Sequence, residues 1–155
     1  MEFCRTVDVE APSDFVFSQM ADFNAIERAA MRRGAEVQRI DKLTRTGPGM
    51  AWDVSFEFRG KTRELRLELV EYDPPNGMSF DYRSPSLSGR MTLELVALSR
   101  NSTRVRMDVT AKAETLTGKL MLQSVKLARK TVNSRAKARM ATYAAEIERR
   151  YRHEA

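Results

Sequence analysis

The chain has 155 residues, 42% hydrophobic and 31% charged, a balance that fits one globular domain over 1–155 and excludes a disordered chain. Its single cysteine, Cys4, excludes an internal disulfide and fits a reducing compartment. No basic and apolar leader precedes Asp8 and no charge-free run approaches the ~18 residues that span a bilayer, so the cytoplasm is the expected location.

Residues 2 to 10 read as a strand, with Phe3, Val7 and Val9 on one parity. Ala11-Pro12-Ser13-Asp14 then starts a helix, and Phe15, Val16, Gln19, Met20 and Phe23 follow at helical spacing. Asn24 is the expected cap of a second short helix, Ala25 to Arg33, which Gly34 ends. From residue 35 the period becomes alternating. Residues 35 to 43 read as a strand in which Val37 and Ile40 differ in parity, so a bulge is expected there.

After a turn at Gly47-Pro48-Gly49, Met50, Trp52, Val54, Phe56 and Phe58 alternate with Asp53, Ser55, Glu57 and Arg59. Arg59-Gly60-Lys61 is a hairpin signal, and Leu65, Leu67 and Leu69 form the next alternating set. Pro74-Pro75-Asn76-Gly77 is a strong turn, followed by Met78, Phe80 and Tyr82 and then by Met91, Leu93 and Leu95. Val105, Met107 and Val109 close the series. These make seven strands, six of them in one meander of hairpins.

From Met121 to Tyr151 apolar residues step by three or four, and no proline or glycine follows Gly118. The spacing predicts one helix from Thr117 to Arg152, about 54 Å long at 1.5 Å per residue. The fold class is therefore α+β: a seven-stranded antiparallel sheet with two short helices after its first strand. Its apolar face needs a cover, and the long C-terminal helix supplies one.

Val7-Asp8-Val9-Glu10-Ala11-Pro12-Ser13-Asp14-Phe15-Val16-Phe17, a strand ending in Ala-Pro before a helix with aliphatic and aromatic residues, carries a resemblance. Ala21-Asp22-Phe23-Asn24 between the short helices, the turn from Glu71 to Pro75 and the terminal helix extend it over the whole chain. The layout resembles the START-like superfamily, the helix-grip fold of the birch-pollen allergen and polyketide cyclase/dehydrase proteins. One departure is Ile26 to Arg33, where relatives often place a proline and a tryptophan. The resemblance implies a sheet curved around the C-terminal helix with a cavity between them. Members bind lipids, sterols, hormones, quinones or polyketides, and a minority are enzymes.

Several chemistries lack their residues. The only histidine is His153, near a fraying end, so no triad has a positioned imidazole. One Cys and one His at opposite ends of the chain exclude a tetrahedral zinc site. Gly47-Pro48-Gly49 has neither the spacing nor the following helix of a phosphate loop. No metal, no cofactor and no catalytic residue is nominated.

On the strand parity that faces the helix, the candidate ligand-binding residues are Trp52, Val54, Phe56, Leu67, Phe80, Tyr82, Met91, Leu93 and Met107, with Val105 beside them. The helix adds Leu120 or Met121, Val125 and Ala128. A plain core would carry the same list, although nine methionines adapt well to variable apolar contents. Arg5 shares parity with Phe3 and Val7; it is expected to reach water at a fraying strand end, since burial would demand a carboxylate or an anionic ligand head.

The leading expectation is thus the binding or carrying of an apolar small molecule, lipid-like, polyketide-like or quinone-like. A cyclase/dehydrase-type enzyme is the alternative, and it needs at least two polar groups converging in the cavity. The third reading starts from charge. The net +6 is concentrated from Lys112 to Ala155, with 11 basic against 4 acidic residues, while the rest of the chain holds 16 against 17. That helix could meet an acidic partner or an anionic membrane surface. Nucleic acid is not expected, because no aromatic residue is interleaved among these charges for base stacking.

Overall fold

The computed structural model describes residues 1–58 and 60–154, so the Arg59 of the hairpin signal lies outside the described residues. The chain runs β1 (Glu2–Val9), α1 (Ser13–Met20), α2 (Phe23–Arg32), β2 (Glu36–Arg39), β3 (Ala51–Phe58), β4 (Lys61–Asp73), β5 (Gly77–Arg83), β6 (Leu87–Ser99), β7 (Ser102–Thr110), β8 (Lys112–Ala113), α3 (Leu116–Leu127) and α4 (Arg129–Glu154). The antiparallel strands lie in the order β1-β7-β6-β5-β4-β3-β2, and the two-residue β8 pairs with β6. The meander from β2 to β7 follows the alternation in the sequence. β1 closes against β7 at the far edge, with Arg5 opposite Met107 and Val7 opposite Val105.

Local chemistry moves some of the expected boundaries. α2 starts two residues earlier than expected because its cap is Asp22, whose side chain accepts the Ala25 amide at 3.2 Å, while Asn24 lies inside the first turn. At its other end, Ala35 N–H reaches the Ala30 carbonyl and Gly34 N–H the Met31 carbonyl, with Gly34 at φ 97°. β2 is shorter than expected and holds no bulge. After a last backbone bond from Ile40 N–H to the Ala51 carbonyl at 3.0 Å, Asp41 ends the pairing by accepting the Ala51 amide at 2.8 Å and the Leu43 amide at 2.9 Å. The register shifts lie instead at Leu69/Glu71 and Ala97/Ser99.

The C-terminal helix is not continuous. It breaks at Ala128 (φ -96°, ψ 22°), whose amide is shared between the Ser124 and Lys126 carbonyls. No proline or glycine stands there, but Thr131-Val132-Asn133-Ser134, all poor helix formers, follow at once. The two halves also answer to different partners, since α3 lies against β8 while α4 packs on β1 and α1.

The tightest packing gathers where α1 and the end of α4 meet the sheet. Val9, Val16, Phe17, Leu69, Leu95, Val105 and Ile147 are all buried there. Polar contacts fasten the same end, as Arg150 donates to the Gln19 side chain at 3.1 Å and Glu148 accepts the Glu10 amide at 2.8 Å. Toward α3 the helix residues Met121, Leu122, Val125 and Val132 are only half-buried. The cover is closed at one end and stands off the sheet at the other.

Candidate functional site: an apolar cavity between sheet and helices

Residues two apart on a strand share a face, so each strand sends alternate side chains inward. Trp52 and Val54 of β3, Leu67 of β4, Met78 and Phe80 of β5, and Met91 and Leu93 of β6 together form the floor of a cavity of about 210 Å³. Met20, Phe23, Ile26, Glu27 and Ala30 from the two short helices form its roof, and Val37 of β2 closes the side. Phe23, Trp52 and Phe80 pack as one aromatic wall, with ring centroids 5.3 to 6.4 Å apart.

The polar groups of this cavity satisfy each other. Trp52 Nε1–H donates to Glu27 Oε1 at 2.6 Å, and the Arg39 guanidinium lies 5.6 Å from the centre of the Trp52 ring. Outside the cavity, Tyr82 turns its phenol to the Thr110 carbonyl and donates to it. Burial pushes the Tyr82 pKa above its ordinary value, so the phenol stays protonated near neutral pH and its proton is already engaged.

The expected site residues divide among three places. Trp52, Val54, Leu67, Phe80, Met91 and Leu93 meet in the cavity. Phe56, Tyr82 and Met121 lie at a separate hollow of about 510 Å³, with Phe58, Arg63, Leu65 and Leu87. Val125 borders a groove of about 530 Å³ between β1 and the helices, opposite Arg5. Met107 is half-buried and lines none of these; it sits between Arg5 and Leu93 in the cross-strand register. Of the helix alternatives, Met121 faces inward, whereas Leu120 is 56% exposed and Ala128 lies exposed at the break.

Three polar residues change the expectation. Arg5 is half-buried on a paired strand rather than loose at a frayed end, and its Nε is buried without a hydrogen-bond partner. Register explains this: β1 is paired with β7 along its whole length, from Glu2 opposite Thr110 to Val9 opposite Thr103. Arg63 is the second such group, with Nε buried and unpartnered; its parity with Leu65 and Leu67 is visible in the sequence. Glu27 comes from a helix rather than a strand, and its place four residues after Phe23 puts both on one helix face.

Among the described residues no helix is long and apolar enough to cross a membrane, and no group of three or more His, Cys, Asp or Glu is placed to hold a metal. The fold recurs in solved structures. The Zhui aromatase/cyclase from a Streptomyces strain is 17% identical, over 97% of this chain and 94% of that one, with a TM-score of 0.72. A START superfamily protein from Mycobacterium smegmatis is 16% identical over 99% of both chains, with a TM-score of 0.65. Norcoclaurine synthase from Thalictrum flavum is 12% identical over 96% of this chain and 84% of that one, again at 0.65. No curated protein matches the chain. The sequence model described as polyketide cyclase/dehydrase and lipid transport matches residues 1–148.

Proposed function

Because the chain belongs to the polyketide cyclase/dehydrase and lipid transport family, we propose that it is a single-domain carrier of an apolar small molecule, working in the cytoplasm. The observation that carries this reading is the cavity itself, walled by aliphatic, aromatic and methionine side chains. Its polar pair, Glu27 and Trp52, is bonded internally. A cyclase would need two free polar groups aimed at the reacting chain, and the lining of this cavity offers none beyond that bonded pair. The geometry therefore favours holding over turnover.

Native mass spectrometry against the denatured mass tests the proposal. The expected result is an added mass that leaves on unfolding, or uptake of a fluorescent apolar probe by the purified protein. Ala30→Phe, which fills the cavity from α2 and leaves every sheet residue unchanged, should weaken that uptake by about tenfold, the equivalent of ~1.4 kcal/mol. A wild-type protein that takes up neither ligand nor probe would refute the carrier.

A carrier of this kind exchanges its cargo somewhere, and α3 supports an anionic membrane surface as that place. Its inward face carries Met121, Leu122 and Val125, yet its outward face is apolar too, with Leu116 73%, Leu120 56% and Leu127 92% exposed. Lys119 and Lys126 flank that stripe, and no acidic residue occurs from Thr115 to Ala145. Apolar residues edged by cations suit the boundary between headgroups and acyl chains. Flotation with vesicles should recover the protein on phosphatidylglycerol-containing bilayers and not on phosphatidylcholine alone. The triple variant Leu116→Ser/Leu120→Ser/Leu127→Ser should abolish the recovery, and equal recovery on both vesicle types would exclude the charge-guided contact.

A further inference from the structure

Resting on the carrier reading, we propose that the cargo is an amphiphile with an anionic head, a carboxylate or a phosphate, which Arg5 receives while the apolar tail lies in the cavity.

The outer face of the sheet shows what arginine does here when a carboxylate is within reach. Arg66 meets Asp53 at 2.9 Å, Arg90 meets Asp81 at 2.7 Å, Arg104 meets Asp8 at 2.9 Å and Arg106 meets Asp108 at 2.9 Å. Arg5 lies on the opposite face, with no ion pair among the described residues and a buried Nε that bonds to nothing. A guanidinium cannot shed its charge by deprotonating, so a half-buried one whose Nε is cut off from water without a partner is stabilised when an anion joins it.

The surroundings of Arg5 fit an anion. Its Cζ lies 5.5 Å from the centre of the Phe3 ring, a contact that orients the guanidinium plane while its N–H edge keeps the fork geometry that matches a carboxylate or phosphate. The groove of about 530 Å³ that it lines adds Lys126 and Arg129 from the helices, against Glu2 as the only acidic side chain in the lining. Neither helix cation has an ion pair among the described residues. Three cations thus border one concavity between an edge strand and a helix that stands off the sheet.

The same groove connects by register with the apolar cavity. Arg5 pairs with Met107, Met107 with Leu93, and Leu93 with Met78, all on the inner face. Strands are spaced about 4.8 Å apart, so Leu93, the first of these to line the cavity, stands roughly 10 Å from Arg5. The cavity alone, at about 210 Å³, is smaller than the ~300–1,000 Å³ of pockets that enclose drug-sized ligands. A tail there with a head at Arg5 uses both spaces.

Calorimetry with decanoate, decyl phosphate and decanol, which share one chain length, tests the inference. The wild type should bind the two anions about tenfold or more tightly than the alcohol, the range of a charge-assisted hydrogen bond. Arg5→Met, which keeps the length and removes the charge, should bring that ratio close to one. Should Arg5→Met fail to fold, the double variant Lys126→Gln/Arg129→Gln on the exposed helix face decides, with an expected loss of about threefold in the ratio. Lys137→Gln, away from the groove, should leave it unchanged. Decanol bound as well as decanoate by the wild type, or a preference that survives Arg5→Met, would overturn the head-group assignment and leave the carrier standing. Inorganic phosphate alone binding as tightly as decyl phosphate would overturn it too, by making the groove a free-anion site. If none of the three chains binds, the carrier reading falls with it.

Discussion

Asp41 does the work of a strand end with one carboxylate. It holds the Ala51 and Leu43 amides and an ion pair with Arg39, whose guanidinium in turn lies near the Trp52 ring at the cavity wall. The Arg39 hydrogen bond, seconded by the two amides, holds the Asp41 carboxyl well below its ordinary value of 3.8. A carboxyl lowered in the folded state stabilises it fully above the ordinary value, and that stabilisation is lost as the pH falls through the lower folded one. Asp41→Asn should therefore lower the melting temperature by a few degrees at pH 7. The gap from wild type should narrow as the pH falls below about 4, where the unfolded carboxyl takes up a proton while the folded one still keeps its charge. A constant gap across that range would mean that the ion pair contributes nothing.

α3 is held at its start. Thr115 caps it by accepting the Gly118 amide at 3.1 Å, and a Cβ placed on Gly118 would lie 2.1 Å from the Ser86 carbonyl oxygen. That contact is backbone, so it cannot yield as a flexible side chain would. Gly118→Ala should lift the start of α3, speed amide exchange over 119–127 and leave 143–151 of α4 protected, because Ala144 and Ile147 are buried on the far anchor. Equal exchange in both segments would show that the two halves open together.

How much of this could be read from residues alone depends on whether the signal is local. Alternation placed the strands and the inward parity of Trp52, Val54, Leu67, Phe80, Met91 and Leu93, since the pleat forces period two. The break at Ala128 was not legible, because the apolar step of three or four runs through it without a proline or glycine. Nor was the outward apolar stripe of α3: Leu120 was expected as an alternative to Met121 on the inward face, and Leu116 and Leu127 stand out only once the helix is placed with half its circumference in water. Glu27 and Arg63 are legible in the sequence, the first from its place four residues after Phe23 on one helix face, the second from its parity with Leu65 and Leu67. Arg5 turned on an edge strand that pairs along its full length, a tertiary fact.

The distribution of charge between the two sides of the protein follows the same division. On the outer sheet face, arginines pair with aspartates across and along the strands; on the helix side, Lys119, Lys126, Arg129, Lys130, Arg135, Lys137 and Arg139 have no acidic neighbour in sequence. Association with anionic vesicles should weaken steeply between 50 and 500 mM salt, as the screening length shortens from above ~10 Å to a few ångström. Binding insensitive to salt would leave the leucines alone responsible.

An uneven distribution of this kind gives the molecule an electric dipole, directed from the paired sheet toward the unpaired helices. Near a negatively charged plane such a dipole feels a torque before any atom touches, and it turns the helix side foremost within a screening length of contact. The groove lined by Arg5, Lys126 and Arg129 is on that side. Diffusion then needs to deliver the protein only to the surface, because the field has already chosen which side arrives.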